Sequence, residues 1–175
     1  AGSVIEQTLQ NRVSLKSILQ SQAELEFGNQ TDKLISSILI DYIDENGWIT
    51  ENLENISDFS GYSIEQIESL LLKMQSFEPN GVFARNLKEC LKIQLNNDGL
   101  LQKENEIIID NIDLLGSGNI RSLQKLTNLK EQDLKEQLKL IKTLDPKPGK
   151  KYSDENENIF HPDVIVTKNN ENWSV

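Results

Sequence analysis

Residues 53–79 read LENISDFSGYSIEQIESLLLKMQSFEP, and the spacing of their apolar side chains decides the fold. Leu53, Ile56 and Phe59 recur at every third position, as on one side of a short helix from about 52 to 59. Gly61-Tyr62 makes a turn. Ser63-Ile64-Glu65-Gln66 has the form of a capping box, in which the Ser63 hydroxyl accepts from the Gln66 amide and the Gln66 side chain reaches back. Ile67, Leu70, Leu71, Met74 and Phe77 then mark one face of a longer helix. Pro79 stops it, because proline disfavours the helical state of the residue before it, here Glu78.

The same unit returns 67 positions later, where residues 120–146 read IRSLQKLTNLKEQDLKEQLKLIKTLDP. Leu53 falls on Ile120, Ile56 on Leu123, Phe59 on Leu126 and Tyr62 on Leu129. Ile67 falls on Leu134, Leu71 on Leu138, Met74 on Ile141, Phe77 on Leu144 and Pro79 on Pro146. Helices are therefore expected at about 121–126 and 131–144. A short helix turned into a longer one also describes DNA-binding helix-turn-helix units. The outward residues of the second helices are Glu65, Gln66 and Glu68 in one copy and Gln132, Asp133, Lys135 and Glu136 in the other. Carboxylates there would repel phosphate, so the geometry is expected to serve packing.

Working outward, Ile35, Ile38, Leu39 and Tyr42 predict a helix over about 30–44, closed by Asp44-Glu45-Asn46-Gly47, with Trp48 and Ile49 entering the core. Before it, Ile5, Leu9, Val13, Leu15, Ile18 and Leu19 predict a helix over about 4–27, ended by Gly28 in the left-handed conformation. Leu87, Cys90, Leu91 and Gln94 predict a helix over 85–95, and Asn96-Asn97-Asp98-Gly99 is a polar break. One further helix is expected over 102–115. Asp145-Pro146-Lys147-Pro148-Gly149 closes the helical part. Val164, Ile165 and Val166, with 173–175, suggest strands. The fold class is thus all-α: two small helical bundles built on helix-turn-helix-like units, with a short β segment at the C-terminus. The expected organisation is 1–98, a first helical subdomain; 99–149, a second; and 150–175, a polar linker leading into the β segment.

Composition narrows the chemistry. The 175 residues carry 18 Lys and Arg against 28 Asp and Glu, a formal charge of -10. Nucleic-acid affinity comes largely from cations neutralising phosphate, so the overall balance argues against this chain holding DNA by itself and suits a basic protein partner. One cysteine, Cys90, forbids an internal disulfide, and with a single histidine, His161, it leaves no metal cluster to assemble. Cys90 sits on an apolar helix face and reads as an inert buried thiol; His161 before Pro162 reads as structural or exposed. Aligning Gly47 with the sixth position of a calcium loop puts Tyr42 first and Leu53 twelfth, where carboxylates are required, so that motif fails. No phosphate-cradling or nucleophile-elbow motif is present, and no set of convergent groups suggests an enzyme. No cofactor, metal, membrane or small-molecule ligand enters the expectation. A reducing, cytoplasmic setting is expected. The opening Ala1-Gly2-Ser3 lacks Met and the end stops inside a predicted strand, so a piece of a longer protein is expected.

Three stretches carry a resemblance. They are Asp41-Tyr42-Ile43-Asp44-Glu45-Asn46-Gly47-Trp48-Ile49; the run from Met74 through Phe77-Glu78-Pro79-Asn80-Gly81-Val82-Phe83-Ala84-Arg85-Asn86-Leu87-Lys88-Glu89-Cys90-Leu91 to Leu95; and Leu140-Ile141-Lys142-Thr143-Leu144-Asp145-Pro146-Lys147-Pro148-Gly149 followed by His161-Pro162-Asp163-Val164. Together, over about 30–166, they resemble the core-binding region of bacterial sigma-54 transcription factors. The chain departs from the family pattern at Glu78, Asn80, Phe83 and Asn86; Phe83 is bulkier than the small residue common there and would alter any contact its loop makes.

The resemblance implies a non-catalytic domain of two helical subdomains that docks on the RNA polymerase core, around the flap of the beta subunit, in the bacterial cytoplasm. Promoter DNA, and the AAA+ activator that drives initiation, would be met mostly by parts of the parent factor outside this chain. The first candidate contact is the helix at 85–95, with Arg85 offering a bidentate bond to a carboxylate and Lys88, Glu89 and Lys92 expected to face outward. Gly47, Trp48, Pro79, Gly81, Pro146, Pro148 and Gly149 are expected to be structural.

Overall fold

The computed structural model describes residues 13–153. The part of the predicted 4–27 helix before residue 13, the strands near 164–166 and 173–175, and His161 lie outside them; within them that helix starts only at Leu15, because Ser14 is extended and caps it. Among the described residues the architecture is helical, with two isolated β-bridges and no extended sheet. The first helix, α1 (Leu15–Glu26), starts at Ser14, whose side chain accepts from the Ser17 amide at 3.2 Å. Gly28 does not end it in the left-handed conformation as expected. Phe27 leaves the helix in an extended conformation, its buried ring anchoring the turn, and Asn29 at once caps α2 (Gln30–Asp41).

The two predicted hairpins match element for element at the 67-residue offset. α3 (Leu53–Ser60) and α8 (Ile120–Thr127) both begin after an asparagine cap, Asn52 or Asn119. Each cap side chain accepts from the amide three residues on, at 2.7 and 3.3 Å. Both helices end at a left-handed residue, Gly61 with φ +79° and Asn128 with φ +56°. Glycine takes that conformation without steric cost, and asparagine is among the side chains that tolerate it best. α4 (Ile64–Met74) and α9 (Glu131–Lys142) start in register. Their tails repeat too: Ser76 Oγ donates to Lys73 O at 2.7 Å, and Thr143 Oγ1 to Leu140 O at 2.6 Å. The capping box at Ser63 and Gln66 forms as expected, whereas Lys130 leaves α9 without a side-chain cap.

Two expectations fail within this frame. Phe59 is 82% exposed and not in the core. At about 100° per residue it lies roughly 120° around α3 from Leu53, off the buried stripe; its counterpart Leu126 is also exposed. The predicted helix over 102–115 is broken at Asn111 into α6 (Lys103–Asp110) and α7 (Ile112–Gly116). Asn111 Nδ2 donates to Ile107 O at 2.8 Å, and this local bond holds the backbone at ψ +35°.

Burial falls into two large clusters joined by a small one. The first draws on α1–α4 and adds Phe77, Val82 and Phe83. The second draws on α6, α8 and α9 and on Leu91 and Leu95 of α5 (Leu87–Asn97). Between them Ala84, Cys90 and Ile93 pack with Trp48. Helix α5 thus serves both sides: one face enters the second bundle, and the other closes the junction.

Candidate functional site

The three stretches singled out in the sequence lie far apart along the chain and close on one another at that junction. Asp44 shapes the first of them. Its Oδ1 accepts from the amides of Asn46 and Trp48, both at 2.9 Å, and so bends the chain into a turn that Gly47 completes at φ +90°. The second stretch pairs with this turn. The Phe83 amide donates to Gly47 O at 2.9 Å and the Ile49 amide to Ala84 O at 2.8 Å, which aligns Trp48 beside Ala84 as a parallel bridge. The third arrives at Gly149, whose amide donates to Asn46 O at 2.9 Å. A Cβ at Gly149 would stand 2.7 Å from both Glu45 O and Gly47 N, which are backbone atoms, so only glycine fits.

Helix α5 locks the second and third stretches together through Gln94, which is 5% exposed. Its Nε2 donates to Asp145 O at 2.6 Å, and its Oε1 accepts from the Asp145 amide at 2.9 Å. The side-chain amide thereby satisfies both backbone groups of the residue before Pro146. The first hairpin has the same device at the matching position: Gln22 of α1 donates to Glu78 O at 2.6 Å and accepts from the Glu78 amide at 2.8 Å, just before Pro79. Gly81 leaves room for Gln94, since a Cβ there would come within 2.7 Å of Nε2. Pro79 and Pro148 are buried and Pro146 is exposed. Burial raises the Cys90 thiol pKa above its ordinary value, and the sulfur lies 3.7 Å from Asp145 O; it is part of the packing, as expected for an inert thiol.

Phe83 faces inward. It is fully buried in the first cluster despite a left-handed backbone, φ +65°, and its ring meets Phe77 edge-on at 6.3 Å. The loop therefore presents backbone, not this ring, to its surroundings.

Of the four charged candidates on or beside α5, none is a freely projecting side chain. Glu89 was expected to point outward; its side chain is 19% exposed and tied inward. It accepts from Arg85 Nη2 at 2.7 Å, from the Arg85 amide at 2.7 Å and from Gln75 Nε2 at 3.1 Å. Burial pushes its pKa up, but these donors outweigh it and hold the carboxyl below the usual value. Asn86 caps the helix by accepting from the Glu89 amide at 2.9 Å. Arg85 keeps 40% of its side chain exposed, and its bond to Glu89 raises its pKa. Lys88 and Lys92 both turn to the C-terminal end of α6. Lys88 Nζ donates to Asp110 O at 2.8 Å, and Lys92 pairs with Asp110 at 2.7 Å and Glu106 at 3.5 Å. A cation at a helix C-terminus is favourable because the last carbonyls have no partner within the helix.

Among the described residues, no group of three or more His, Cys, Asp or Glu could hold a metal ion, and no helix is long and apolar enough to cross a membrane. The turn at 44–47 was expected; what the sequence reading missed are the two glutamine clamps and the bonds by which Asp44 ties that turn. The Asp-x-x-Gly spacing at 44–47 signals such a turn; a lone glutamine carries no comparable signal.

Comparison with known proteins adds the following. Residues 4–175 match the family model described as sigma-54 factor, core binding domain. The chain is 37% identical over 169 residues to the RNA polymerase sigma-54 factor of Escherichia coli, covering 93% of this chain and 35% of that protein. It is 36% identical over 169 residues to that of Salmonella typhimurium, with the same shares covered, and 32% identical over 165 residues to that of Rhodobacter capsulatus, covering 94% of this chain and 39% of that protein. The chain spans between about a third and two fifths of the length of these curated relatives.

Proposed function

The chain belongs to the sigma-54 factor core-binding-domain family, and from that premise we propose that it is a non-catalytic docking module which holds its parent factor on the RNA polymerase core, at the flap of the beta subunit. Residues 1–98 form the polymerase-binding subdomain in this reading, and 99–149 a second one fixed against it. The parent factor then directs promoter-specific, activator-dependent initiation in the bacterial cytoplasm; promoter reading and contact with the AAA+ activator fall mostly to its other parts.

The observation that supports this best is the junction. Three stretches spread over some hundred residues meet through backbone bonds and one buried glutamine, with a glycine where no side chain fits. Such a junction fixes the relative placement of two helical bundles. A surface held in advance loses little conformational entropy on binding, which is what a docking module needs. Charge on the outer surface would act more on the rate of encounter than on the final affinity.

The contact face proposed is that of Arg85, Lys88, Glu89 and Lys92. Their internal bonds keep the face in one shape, and the exposed part of the Arg85 guanidinium is the group best placed to reach a partner carboxylate. The test is capture of purified core polymerase by the chain, compared with an Arg85→Glu/Lys88→Glu variant whose helicity and melting temperature are measured alongside. A tenfold or larger loss of affinity with the fold retained is expected. Unchanged affinity removes α5 from the interface, and no capture by the unaltered chain overturns the docking role itself.

A further inference from the structure

The 67-residue repetition allows a position-by-position comparison of what the two hairpins show to solvent, and they differ in sign. Residues 53–84 carry one Lys or Arg against five Asp and Glu, a balance of -4; residues 120–151 carry nine against four, a balance of +5. The change falls at matched sites: Glu54 becomes Arg121, Asp58 becomes Lys125 and Glu68 becomes Lys135, while Leu72 and Gln75 become Lys139 and Lys142. The chain-wide charge of -10 conceals this segregation.

The cations also share a surface. Arg121, Gln124 and Lys135 line a groove between α8 and α9. Gln132, Lys135, Lys139 and Lys142 line a second one along α9 alone, and the two grooves meet at Lys135. Arg121, Lys139 and Lys142 are exposed and make no ion pair among the described residues. Glu131 lines the first groove in an exposed pair with Lys135 at 3.0 Å, which Lys135 can exchange for a phosphate, Glu136 lines the second, and Asp133 is exposed nearby. Cations spaced along a short-helix, long-helix hairpin, with glutamine amides between them, suit a row of phosphates on a rigid rod.

We propose that the α8–α9 hairpin is a contact surface for the sugar–phosphate backbone of duplex DNA, with Arg121, Lys135, Lys139 and Lys142 as the phosphate-facing cations. It positions the duplex and does not read its sequence. The proposal rests on the charge comparison and stands apart from polymerase docking.

The test is fluorescence anisotropy of a labelled, mixed-sequence duplex of about 20 base pairs titrated with the chain between 50 and 200 mM salt. Non-specific affinity on the order of 10⁻⁴–10⁻⁶ M is expected, with a slope of log affinity on log salt of about -3 to -4 for four contacts. Arg121→Glu/Lys139→Glu/Lys142→Glu should lower affinity tenfold or more, and the milder Arg121→Gln/Lys139→Gln/Lys142→Gln should flatten the salt slope by about 3. A control with the same charge change elsewhere, Lys16→Gln/Lys33→Gln/Lys73→Gln, should move affinity less than twofold. No binding at 50 mM salt overturns the proposal. So do equal losses in the control and the neutral triple variant. Loss of core-polymerase affinity in the charge-reversed chain, with DNA affinity unchanged, overturns it in favour of an acidic protein surface.

Discussion

Hairpins α3–α4 and α8–α9 follow the same local backbone pattern 67 residues apart, and each is gripped at its proline end by a glutamine from a neighbouring helix. The grips differ in setting. Gln22 holds Glu78 at the surface, while Gln94 is buried and holds Asp145 where the three stretches meet. Two residues past each proline the contrast grows: Gly81 makes way for Gln94, and its counterpart Pro148 is buried. One position further, Val82 fills a core site whereas Gly149 lies against backbone. Local sequence sets the shape of a hairpin, and what surrounds it sets how much each bond contributes.

The sharpest way to break that comparison is to put a methyl group at its two ends. Gly149→Ala pushes a Cβ into Glu45 O and Gly47 N, neither of which can rotate away, and should destabilise the chain by about 3 kcal/mol, the upper part of the range for overpacking. Val82→Ala removes two methyl groups from the matched site and should cost about 1.5 kcal/mol. Urea unfolding followed by Trp fluorescence measures both; equal losses would mean that the junction is looser than the contacts imply.

The clamps come next. Gln94→Ala leaves the Asp145 amide and carbonyl without their part-buried partner and should cost about 2 kcal/mol. Gln22→Ala leaves the Glu78 groups open to solvent and should cost about 1 kcal/mol or less. Thermal melts of the two variants rank them, and a larger loss at Gln22 would reverse the role assigned to burial.

The smallest effect tests the one cap the repetition lacks. Ser63 caps α4, but Lys130 at the matched position gives α9 no side-chain acceptor. Lys130→Ser should raise stability by roughly 0.5–1 kcal/mol by supplying one. A loss of stability would show that Lys130 does something the hairpin alone does not explain.

Much of this was legible in the sequence. The helices, their caps and the proline stops come from interactions between residues a few positions apart, so Ser63, Asn52, Gly61 and Pro79 announce themselves. The apolar stripes placed most of the cores, but Val13, Phe59, Ile120 and Leu126, near helix ends or on short helices, are exposed. The candidate site was legible only in part. Glycine and proline spacing marked the stretches that meet at the junction, but Gln94 and Gln22 act on backbone 51 and 56 residues away. The inward turn of Glu89 depends on Arg85 and Gln75 together, and no periodicity in one helix reveals it. The chain-wide charge of -10 comes from the rest of the sequence, since the two hairpins nearly cancel, and it hides the excess of cations over residues 120–151.

Phe83 carries a consequence for how this sequence could drift. Its left-handed backbone costs about 1–2 kcal/mol for a side chain of its size, and the ring offsets that by resting on Phe77, which in turn meets Phe27. A small residue at this position would ease the backbone but leave an aromatic-sized void beneath it. The three phenylalanines are thus expected to co-vary across relatives, so that a lineage with glycine at this position carries different bulk at the other two.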